Sequence, residues 1–175
     1  QRRFARSQRV QVALERVDLA VVGDGAERMG EFPRGERVRG VALMYDRKRR
    51  NEVGIGEIGL DYYWEPYDRD QQIYCFEAQM EMARKLDLPV VIHDREAHGD
   101  SFDVVCKYPE VRGVFHSYSG SAEMAKELIK RGWYISFSGV VSFKNAAKIK
   151  EVAKIVPDDR ILIETDAPYL APHPF

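Results

Sequence analysis

Four short runs of β-branched and aliphatic residues each lead into a side chain that can bind a metal ion. These side chains are Glu57, His93, His116 and Asp166, and helix-like segments separate the runs. Where parallel strands alternate with helices, the carboxyl ends of the strands lie at one edge, and (β/α) barrels build their active sites there. Nitrogen and oxygen donors of this kind suit a divalent metal. The sequence therefore predicts that the four residues meet at one metal site.

The acidic residues at the strand ends have more than one interpretation. Glu57 lies between Gly56 and Gly59, which allow the backbone to approach a ligand closely. Its carboxylate could bridge two cations, or Glu57 could be a solvated loop residue. Asp166 could bind the metal and accept the proton of a metal-bound water, and Glu164 could support the site or lie at the rim of the core. We predict Glu57 and Asp166 as the catalytic residues.

Basic and hydroxyl side chains near the strand ends are candidates for binding a substrate. His93 directly follows three aliphatic residues and His116 repeats this arrangement, so each could be a nitrogen ligand, although a structural role fits His93 equally well. Arg95 could reach a phosphate or a carboxylate. The hydroxyl-bearing run 117–119 precedes a helix start, a setting that suits oxyanions. His98 lies in a predicted loop. The predicted substrate-binding residues are Arg95, His98, Ser117, Tyr118 and Ser119.

The hydrophobic pattern predicts alternating strands and helices from residue 51 onwards. The expected strands are 53–56, 90–93, 113–116, 133–137 and 161–164. The expected helices are 68–87, 101–108, 122–131 and 142–155, with Asp68 and Gln71 as a capping box and Ser142 as an N-cap. The strands are almost continuously apolar, which indicates a parallel sheet covered on both faces. We predict an α/β fold of the TIM-type (β/α) barrel class.

The composition is that of an ordinary globular protein of 175 residues with a net charge of −1. This neutral total neither indicates nor excludes a nucleic-acid partner, because a basic patch can lie within it. Cys75 and Cys106 lie in predicted helices, where small buried residues are a better interpretation than a disulfide or a zinc site. Reduced thiols, and the absence of an apolar run of about 20 residues, predict a cytoplasmic or nuclear protein without a membrane partner.

Residues 1–50 differ from the rest of the chain. They hold thirteen basic residues, twelve of them Arg, and seven acidic ones, whereas 51–175 hold fourteen basic and twenty-one acidic residues. Only 10–14, 19–22 and 38–44 resemble strands in the first part. Three interpretations stay open: a divergent part of the same barrel, a basic arm that contacts an anionic substrate, or foreign sequence. We therefore divide the chain into an N-terminal segment, 1–50, and a barrel portion, 51–175.

Five longer strings extend the pattern of the strand ends. They cover 56–63, 91–95, 115–120, 135–139 and 163–170, and they include Gly-Glu-Ile-Gly-Leu-Asp-Tyr-Tyr, Phe-His-Ser-Tyr-Ser-Gly and Ile-Glu-Thr-Asp-Ala-Pro-Tyr-Leu. In residue type, order and separation, the strings resemble the TatD family of metal-dependent deoxyribonucleases, which belongs to the amidohydrolase-like TIM-barrel superfamily. The resemblance begins near residue 51 and continues to the end of the chain.

The resemblance implies a role for each of the four strand-end residues. Glu57 would bridge metal ions, and His93 and His116 would be ligands of one metal. Asp166 would be both a ligand and the proton acceptor. Members of the family use Mg²⁺, Mn²⁺ or Zn²⁺ to hydrolyse phosphodiesters, in several cases as 3′-to-5′ exonucleases. The implied cofactor is therefore a divalent metal, and the implied partner is DNA, either single-stranded or at its 3′ ends.

The sequence departs from the family pattern at both ends. The family's first strand carries a His-x-His pair, but no histidine precedes His93 here. The family also continues well past the string at 163–170. We therefore expect a barrel that is incomplete at both ends, and two other functions stay open. These are an amidohydrolase-type hydrolase of small molecules or esters, and a catalytically inactive, truncated family member with an interaction role.

Overall fold

The computed structural model describes residues 43–46, 51–166 and 169–174. The strands that the sequence predicts at 10–14 and 19–22 lie outside the described residues, as does most of the one predicted at 38–44. The described residues form two compact units. The first unit contains 43–46 and 51–113, and the second contains 114–166 and 169–174.

Strands and helices alternate along the described residues. The first unit contains β1 (Leu43–Asp46), β2 (Asn51–Asp61), α1 (Arg69–Leu86), β3 (Val90–Arg95) and α2 (His98–Cys106). Strand β4 (Gly113–Phe115) begins at the last residue of this unit. The second unit continues with α3 (Ala122–Lys130), β5 (Tyr134–Phe137), a 3₁₀ helix (Gly139–Ser142), α4 (Ala147–Ile155) and β6 (Ile161–Ile163). This order confirms the alternation that the sequence predicts from residue 51.

Strand β2 lies between β1 and β3 in the first unit. It pairs with β3 in parallel, with Ile58 opposite Ile92, and with β1 in antiparallel, with Leu43 opposite Ile55. The sequence predicts parallel pairing alone; the antiparallel pair differs because a short connection can join antiparallel strands, whereas parallel strands need a long crossover. The parallel register shifts between Ile55 and Ile58. Gly56 and Glu57 lie within this irregular stretch of the ladder.

Helix α1 begins with the predicted N-cap, Asp68, whereas the side-chain amide of Gln71 donates to Sγ of Cys75. Asp68 is the N-cap, and its Oδ1 accepts a hydrogen bond from the backbone N–H of Gln71 at 2.9 Å. The helix is closed by Asp87 in the left-handed conformation (φ 50°), and Pro89 follows before β3. The fully buried residues around this helix include Ile55, Leu60, Phe76, Met80 and Ile92. Helix α1 therefore contributes its apolar face to the core of the first unit.

Helix α2 begins earlier than the sequence predicts. The predicted helix spans 101–108, but the observed one starts at His98, so this residue opens a helix and does not lie in a loop. Glu96 has a left-handed backbone conformation (φ 57°) immediately after β3. The chain therefore turns sharply there, and the backbone N–H of Ser101 already donates to the carbonyl of Ala97 at 2.9 Å.

Strand β5 lies between β4 and β6 in the second unit, and both pairings are parallel as predicted. Phe115 lies opposite Ile135, and Ile135 lies opposite Ile161. The buried rings of Phe115 and Trp133 meet edge to face, with centroids 5.4 Å apart. Helix α3 begins at Ser121, whose hydroxyl caps its first turn. These contacts give the second unit its own apolar core.

The prediction that Ser142 caps a helix is wrong. Ser142 ends the 3₁₀ helix, and α4 begins only at Ala147. The hydroxyl of Ser142 donates to the carbonyl of Gly139 at 2.6 Å and accepts from the backbone N–H of His173 at 2.7 Å. Because this hydroxyl bonds to a preceding carbonyl and to a distant segment, it does not cap the following turn.

Two predictions made from composition concern the state of the cysteines and the absence of a membrane-spanning segment. Cys75 and Cys106 lie in α1 and α2 as predicted, and both are free. Each is partly exposed, however, so the prediction that they are buried is wrong. None of the helices formed by the described residues has the length and apolar character that crossing a membrane requires.

Candidate functional site

Three side chains on β2 and β3 form a group that we call the His93 cluster: Glu57, Asp61 and His93. Atom Nε2 of His93 lies 3.2 Å from Oδ2 of Asp61, and Nδ1 lies 3.6 Å from Oε2 of Glu57. The exposed fraction of the side chain is 35% for His93, 49% for Glu57 and 29% for Asp61. A carboxylate therefore faces each ring nitrogen, and solvent reaches the cluster.

Gly59 allows β2 and β3 to approach each other at this cluster. It lies opposite His93 in the parallel register, and its φ of 125° is one that residues with a Cβ atom rarely adopt. A Cβ atom at Gly59 would lie 2.3 Å from the carbonyl oxygen of His93. Both the backbone conformation and the close approach therefore require glycine.

Neighbouring groups hold Asp61 at the end of β2. Its backbone N–H donates to Oε1 of Gln72, and Nε2 of Gln72 donates to its carbonyl, each at 2.8 Å. The side-chain Oδ1 accepts a hydrogen bond from the backbone N–H of Tyr63 at 3.0 Å. One carboxylate oxygen of Asp61 thus holds the loop that follows, while the other faces His93 and can orient the imidazole.

A second imidazole–carboxylate pair begins at the residue after His93. Atom Nδ1 of His98 lies 2.8 Å from Oδ2 of Asp94. The side chain of Asp94 is almost completely buried, whereas that of His98 is one-third exposed. A buried carboxylate at one ring nitrogen fixes the orientation of the ring. His98 is therefore held in a defined position at the start of α2.

The second unit contains a matching group, which we call the His116 cluster: His116, Glu164 and Asp166. His116 directly follows β4, and the two acids follow β6. Atom Nδ1 of His116 contacts Oε2 of Glu164, and Nε2 lies 3.1 Å from Oδ1 of Asp166. The exposed fraction of the side chain is 13% for His116, 18% for Glu164 and 28% for Asp166. A carboxylate again faces each ring nitrogen, in a less solvated setting.

Ser117 and two buried serines hold the acids of the His116 cluster. Ser117 has φ 43°, and its backbone N–H donates to Oε1 of Glu164 at 2.6 Å and to Oγ of Ser136 at 3.2 Å. Its hydroxyl lies 2.8 Å from that of Ser138 and 3.5 Å from Oδ2 of Asp166. Ser136 and Ser138 are buried. The two oxygens of Glu164 are thus directed at a backbone N–H and at a ring nitrogen, as an orienting carboxylate requires.

The predicted substrate-binding residues lie in different environments. Arg95 and Ser119 are exposed, and Ser117 is partly exposed within the His116 cluster. Tyr118 is buried, and its hydroxyl donates to the carbonyl of Ser121 at 2.7 Å. The position of Tyr118 in the core lends no support to the predicted contact with a substrate.

An ion pair joins the start of α1 to helix α2, and a hydrogen bond to the same carboxylate attaches the loop after β2. Asp100 accepts two hydrogen bonds from the guanidinium of Arg69, at 2.7 and 2.6 Å, and one from the hydroxyl of Tyr62 at 2.7 Å. The Arg69 and Tyr62 donors stabilise the charged carboxylate and hold the pKa of Asp100 below its ordinary value. Burial, together with the hydrogen bond to Asp100, raises the pKa of Tyr62, so its hydroxyl stays protonated as a donor.

The donor atoms of both clusters suit a divalent metal. Imidazole is a common ligand of Zn²⁺, and carboxylates suit Mg²⁺ and Mn²⁺. Two ligands of one ion lie about 3.0–3.4 Å apart when each bond is about 2.1 Å long. The His93–Glu57 and His116–Asp166 contacts, at 3.6 and 3.1 Å, are close to this separation. In each cluster the other ring nitrogen faces a second carboxylate, as in carboxylate–histidine–metal arrangements.

The two clusters do not by themselves amount to an assembled metal site. Among the side chains that the structure describes, no group of three or more His, Cys, Asp and Glu residues is arranged to hold a metal ion. The structure brings Glu57 together with His93, and His116 together with Asp166. The metal site that joins all four residues stays a prediction.

Asp61 is the member of the His93 cluster that sequence analysis missed. The predicted strand ends at residue 56, whereas β2 continues to Asp61. Residues 57, 59 and 61 are two apart, and a regular strand directs such residues to one face. The alternation of Ile58 and Leu60 with these positions was the signal that could have extended the strand. For Glu164, support of the site was one of two open interpretations, and its contact with His116 agrees with it.

A family model supports the identification suggested by the motifs. The model described as TatD related DNase matches residues 33–175, so the match begins before the motifs do. A Bacillus subtilis (strain 168) protein named uncharacterized metal-dependent hydrolase YabD is 47% identical over 125 residues, which are 70% of this chain and 49% of the relative. An Erwinia billingiae (strain Eb661) protein named 3′-5′ ssDNA/RNA exonuclease TatD is 37% identical over 123 residues, covering 69% and 47%.

A solved structure supports the same conclusion for the fold. The crystal structure of YJJV, a TatD homologue from Escherichia coli K12, matches with a TM-score of 0.66 at 30% identity, covering 70% of this chain and 48% of that chain. The likeness confirms the predicted α/β fold of the TIM-type (β/α) barrel class. The chain spans about half the length of the curated relatives it matches, and their names do not favour either alternative function. The chain belongs to the TatD family of metal-dependent hydrolases.

Proposed function

We propose that this chain is part of a metal-dependent phosphodiesterase that removes nucleotides from the 3′ end of DNA. The main support is that the two candidate ligands, His93 and His116, each lie between two carboxylates. A metal-binding histidine commonly donates its second ring N–H to a carboxylate, which fixes the tautomer and leaves the other nitrogen for the metal. Two separate histidines with this arrangement favour metal binding over a purely structural role.

Four residues hold the metal in this proposal: Glu57, His93, His116 and Asp166. A bound Mg²⁺, Mn²⁺ or Zn²⁺ would polarise the phosphodiester and activate a water molecule for attack at phosphorus. A carboxylate oxygen of Asp166 would accept a proton from the attacking water. Asp166 suits this role because its Oδ2 lies 3.5 Å from the hydroxyl of Ser117, so its orientation is supported from one side.

Asp61 and Glu164 are positioning residues in this proposal. Asp61 faces Nε2 of His93, which directs Nδ1 toward the metal, and Glu164 contacts Nδ1 of His116, which leaves Nε2 for the metal. Neither acid needs to contact the metal in order to act. Each fixes the ring that does.

Exposed groups near the clusters provide the contacts to the substrate. Arg95 and His98 bind phosphate oxygens of the chain being cleaved, and Ser119 adds a hydroxyl donor. The name of the Erwinia relative gives it single-stranded DNA and RNA as substrates. We propose single-stranded DNA as the substrate of this chain as well. The two free cysteines support a location inside the cell, in the cytoplasm or the nucleus.

The proposal is tested with single-stranded DNA labelled at its 5′ end, incubated with the chain and Mg²⁺ or Mn²⁺. We expect a ladder of shortened products that disappears with a chelator. His93→Ala and Asp166→Asn should each lower the rate at least about a hundredfold. Mutating a residue that only hydrogen-bonds to a metal ligand can already cost up to about a hundredfold in activity, and these variants change proposed ligands themselves.

The matched controls are His173→Ala and Asp158→Asn, which change the same residue types at exposed positions outside both clusters. Both controls should keep the full rate. The absence of any metal-dependent shortening, or equal rates for the cluster variants and the controls, would exclude the proposed function.

A further inference from the structure

Two aromatic rings stand exposed on the loop that follows β2. The residues are Tyr63 and Trp64, with exposed fractions of 46% and 66%. Their rings are perpendicular, with centroids 4.8 Å apart. Exposed aromatic surface is unfavourable in water, and two adjacent large rings on one loop are more than the scattered apolar residues that every surface carries. The two rings therefore form a surface that suits a ligand with a flat apolar face.

A positive charge lies against these rings. The guanidinium carbon of Arg95 is 3.7 Å from the ring centroid of Tyr63 and 5.7 Å from that of Trp64. Arg95 is exposed at the end of β3, and within the described residues it forms no salt bridge. Its charge is thus not neutralised there. Flat apolar faces beside an unpaired cation match a base and its phosphate.

The loop that carries the rings is held in place before any ligand binds. The ring of Tyr62 stacks on that of Tyr67, with centroids 4.7 Å apart and an angle of 7°. The hydroxyl of Tyr62 donates to Asp100 at 2.7 Å, and its backbone N–H donates to the carbonyl of Arg95 at 2.9 Å. Little ordering of the backbone is then needed on binding, which favours affinity.

Asp61 connects this loop to the His93 cluster. One of its carboxylate oxygens accepts from the backbone N–H of Tyr63, and the other faces His93. The backbone of Tyr63 is therefore linked through Asp61 to the proposed metal ligand His93. A nucleotide held on this loop would bind next to the His93 cluster along the chain.

We propose that Tyr63, Trp64 and Arg95 form a base-stacking subsite for a single-stranded nucleic acid. An unpaired base stacks on the exposed face of Trp64, and Arg95 contacts the neighbouring phosphate. Stacking of this kind is independent of base identity, because every base has a flat face. In a duplex both faces of an internal base are already covered, so the subsite selects single strands. The inference rests on the proposed function, to which it adds the residues that hold the single strand.

The chain offers a direct optical test, because it contains two tryptophans and the other one, Trp133, is 2% exposed. A short single-stranded oligodeoxynucleotide is titrated into the whole chain in a chelator, which separates binding from cleavage. We expect the fluorescence of Trp64 to be quenched as a base stacks on it. An abasic strand of the same length and a blunt duplex should quench it little.

Two variants test whether stacking on Trp64 contributes to the affinity for the single strand. This affinity is measured by the fluorescence anisotropy of a labelled strand. Trp64→Ala should weaken binding about tenfold or more, since base–aromatic stacking has this magnitude. Trp64→Phe keeps a ring and should retain most of the affinity. The emission of the buried Trp133 reports whether each variant is folded.

The matched control is Tyr134→Ala. Tyr134 is also exposed and lies beside Arg160, whose guanidinium carbon is 5.1 Å from the ring centroid, but it begins β5, away from the carboxyl ends of the strands. This variant should bind like the unaltered chain. Equal binding of abasic and normal strands, or unchanged affinity in a folded Trp64→Ala variant, would overturn the subsite. If cleavage is absent but stacking persists in chelator, the proposed hydrolysis fails and the subsite stands.

Discussion

The His93 cluster of the first unit and the His116 cluster of the second have the same arrangement of donors in different environments. In each, an imidazole lies between two carboxylates. The side chains around His93 are open to solvent, whereas those of His116 and Glu164 are mostly buried. The backbone N–H of Ser117 also donates to Glu164, whereas Oδ1 of Asp61 accepts a hydrogen bond from the backbone N–H of Tyr63 in an exposed loop.

The difference should affect how each cluster responds to substitution. Charges interact more strongly where solvent is excluded, and a buried polar group that loses its partner is more costly than an exposed one. We therefore expect substitutions in the His116 cluster to have larger effects than those in the His93 cluster, whose side chains are more exposed.

A pair of glycines, one in each unit, should show the largest difference in stability. Gly59 and Gly132 both have positive φ, at 125° and 86°, but a Cβ atom would clash with the carbonyl of His93 at Gly59 and would meet nothing within 4 Å at Gly132. Gly59→Ala should lower the free energy of unfolding by more than about 2 kcal/mol, and Gly132→Ala by about 1 kcal/mol. Urea unfolding followed by circular dichroism measures both; equal losses would mean that the close approach of β2 and β3 is not required.

Removing the charge of either positioning acid, Asp61 or Glu164, should weaken metal binding, and the loss should differ between the two. Asp61→Asn and Glu164→Gln preserve shape but remove the charge that faces each imidazole. We expect affinity for Mn²⁺, measured by titration calorimetry, to fall about ten- to a hundredfold. The larger loss should occur in Glu164→Gln, because Glu164 is more buried. Asp158→Asn is the control; a tighter or unchanged affinity in both cluster variants would show that these acids do not orient the rings.

Removing the charge of Asp100 should have the smallest effect on thermal stability. Its ion pair with Arg69 lies within the first unit. Arg69 and Tyr62 lower the pKa of Asp100 below its ordinary value of 3.8. Its folded-state pKa is then lower than that of the unfolded chain, so its stabilisation is complete above about pH 4 and declines as the pH falls through the lowered value. Thermal unfolding of Asp100→Asn and the unaltered chain should differ slightly at pH 7 and converge in acid. A difference that grows in acid would contradict this sign.

Local patterns were sufficient to predict the order of strands and helices from residue 51 and the approximate position of each strand. Apolar runs ended by Glu57, His93 and His116 carried that information, because burial on both faces of a strand leaves a continuous apolar string. Asp68 likewise specified the start of α1, because its N-cap hydrogen bond to the backbone N–H of Gln71 involves only neighbouring residues.

Contacts between distant residues could not be predicted in the same way. The backbone of Asp61 is held by Gln72 of α1, and the hydroxyl of Ser142 accepts a hydrogen bond from the backbone N–H of His173. The buried position of Tyr118 depends on how its ring packs on Phe115, with centroids 6.3 Å apart. Each of these positions depends on strand register and side-chain packing, and a local sequence pattern contains no information about either.

In the proposed function, imidazole nitrogens of both clusters bind a divalent metal. The chain has four histidines, of which His98 and His173 lie outside the clusters. Nuclear magnetic resonance of the imidazole groups, during addition of substoichiometric paramagnetic Mn²⁺, tests the claim directly. We predict that the resonances of His93 and His116 broaden first and that the resonance of His173 stays sharp. Sharp resonances of His93 and His116 at saturating Mn²⁺ would contradict the claim.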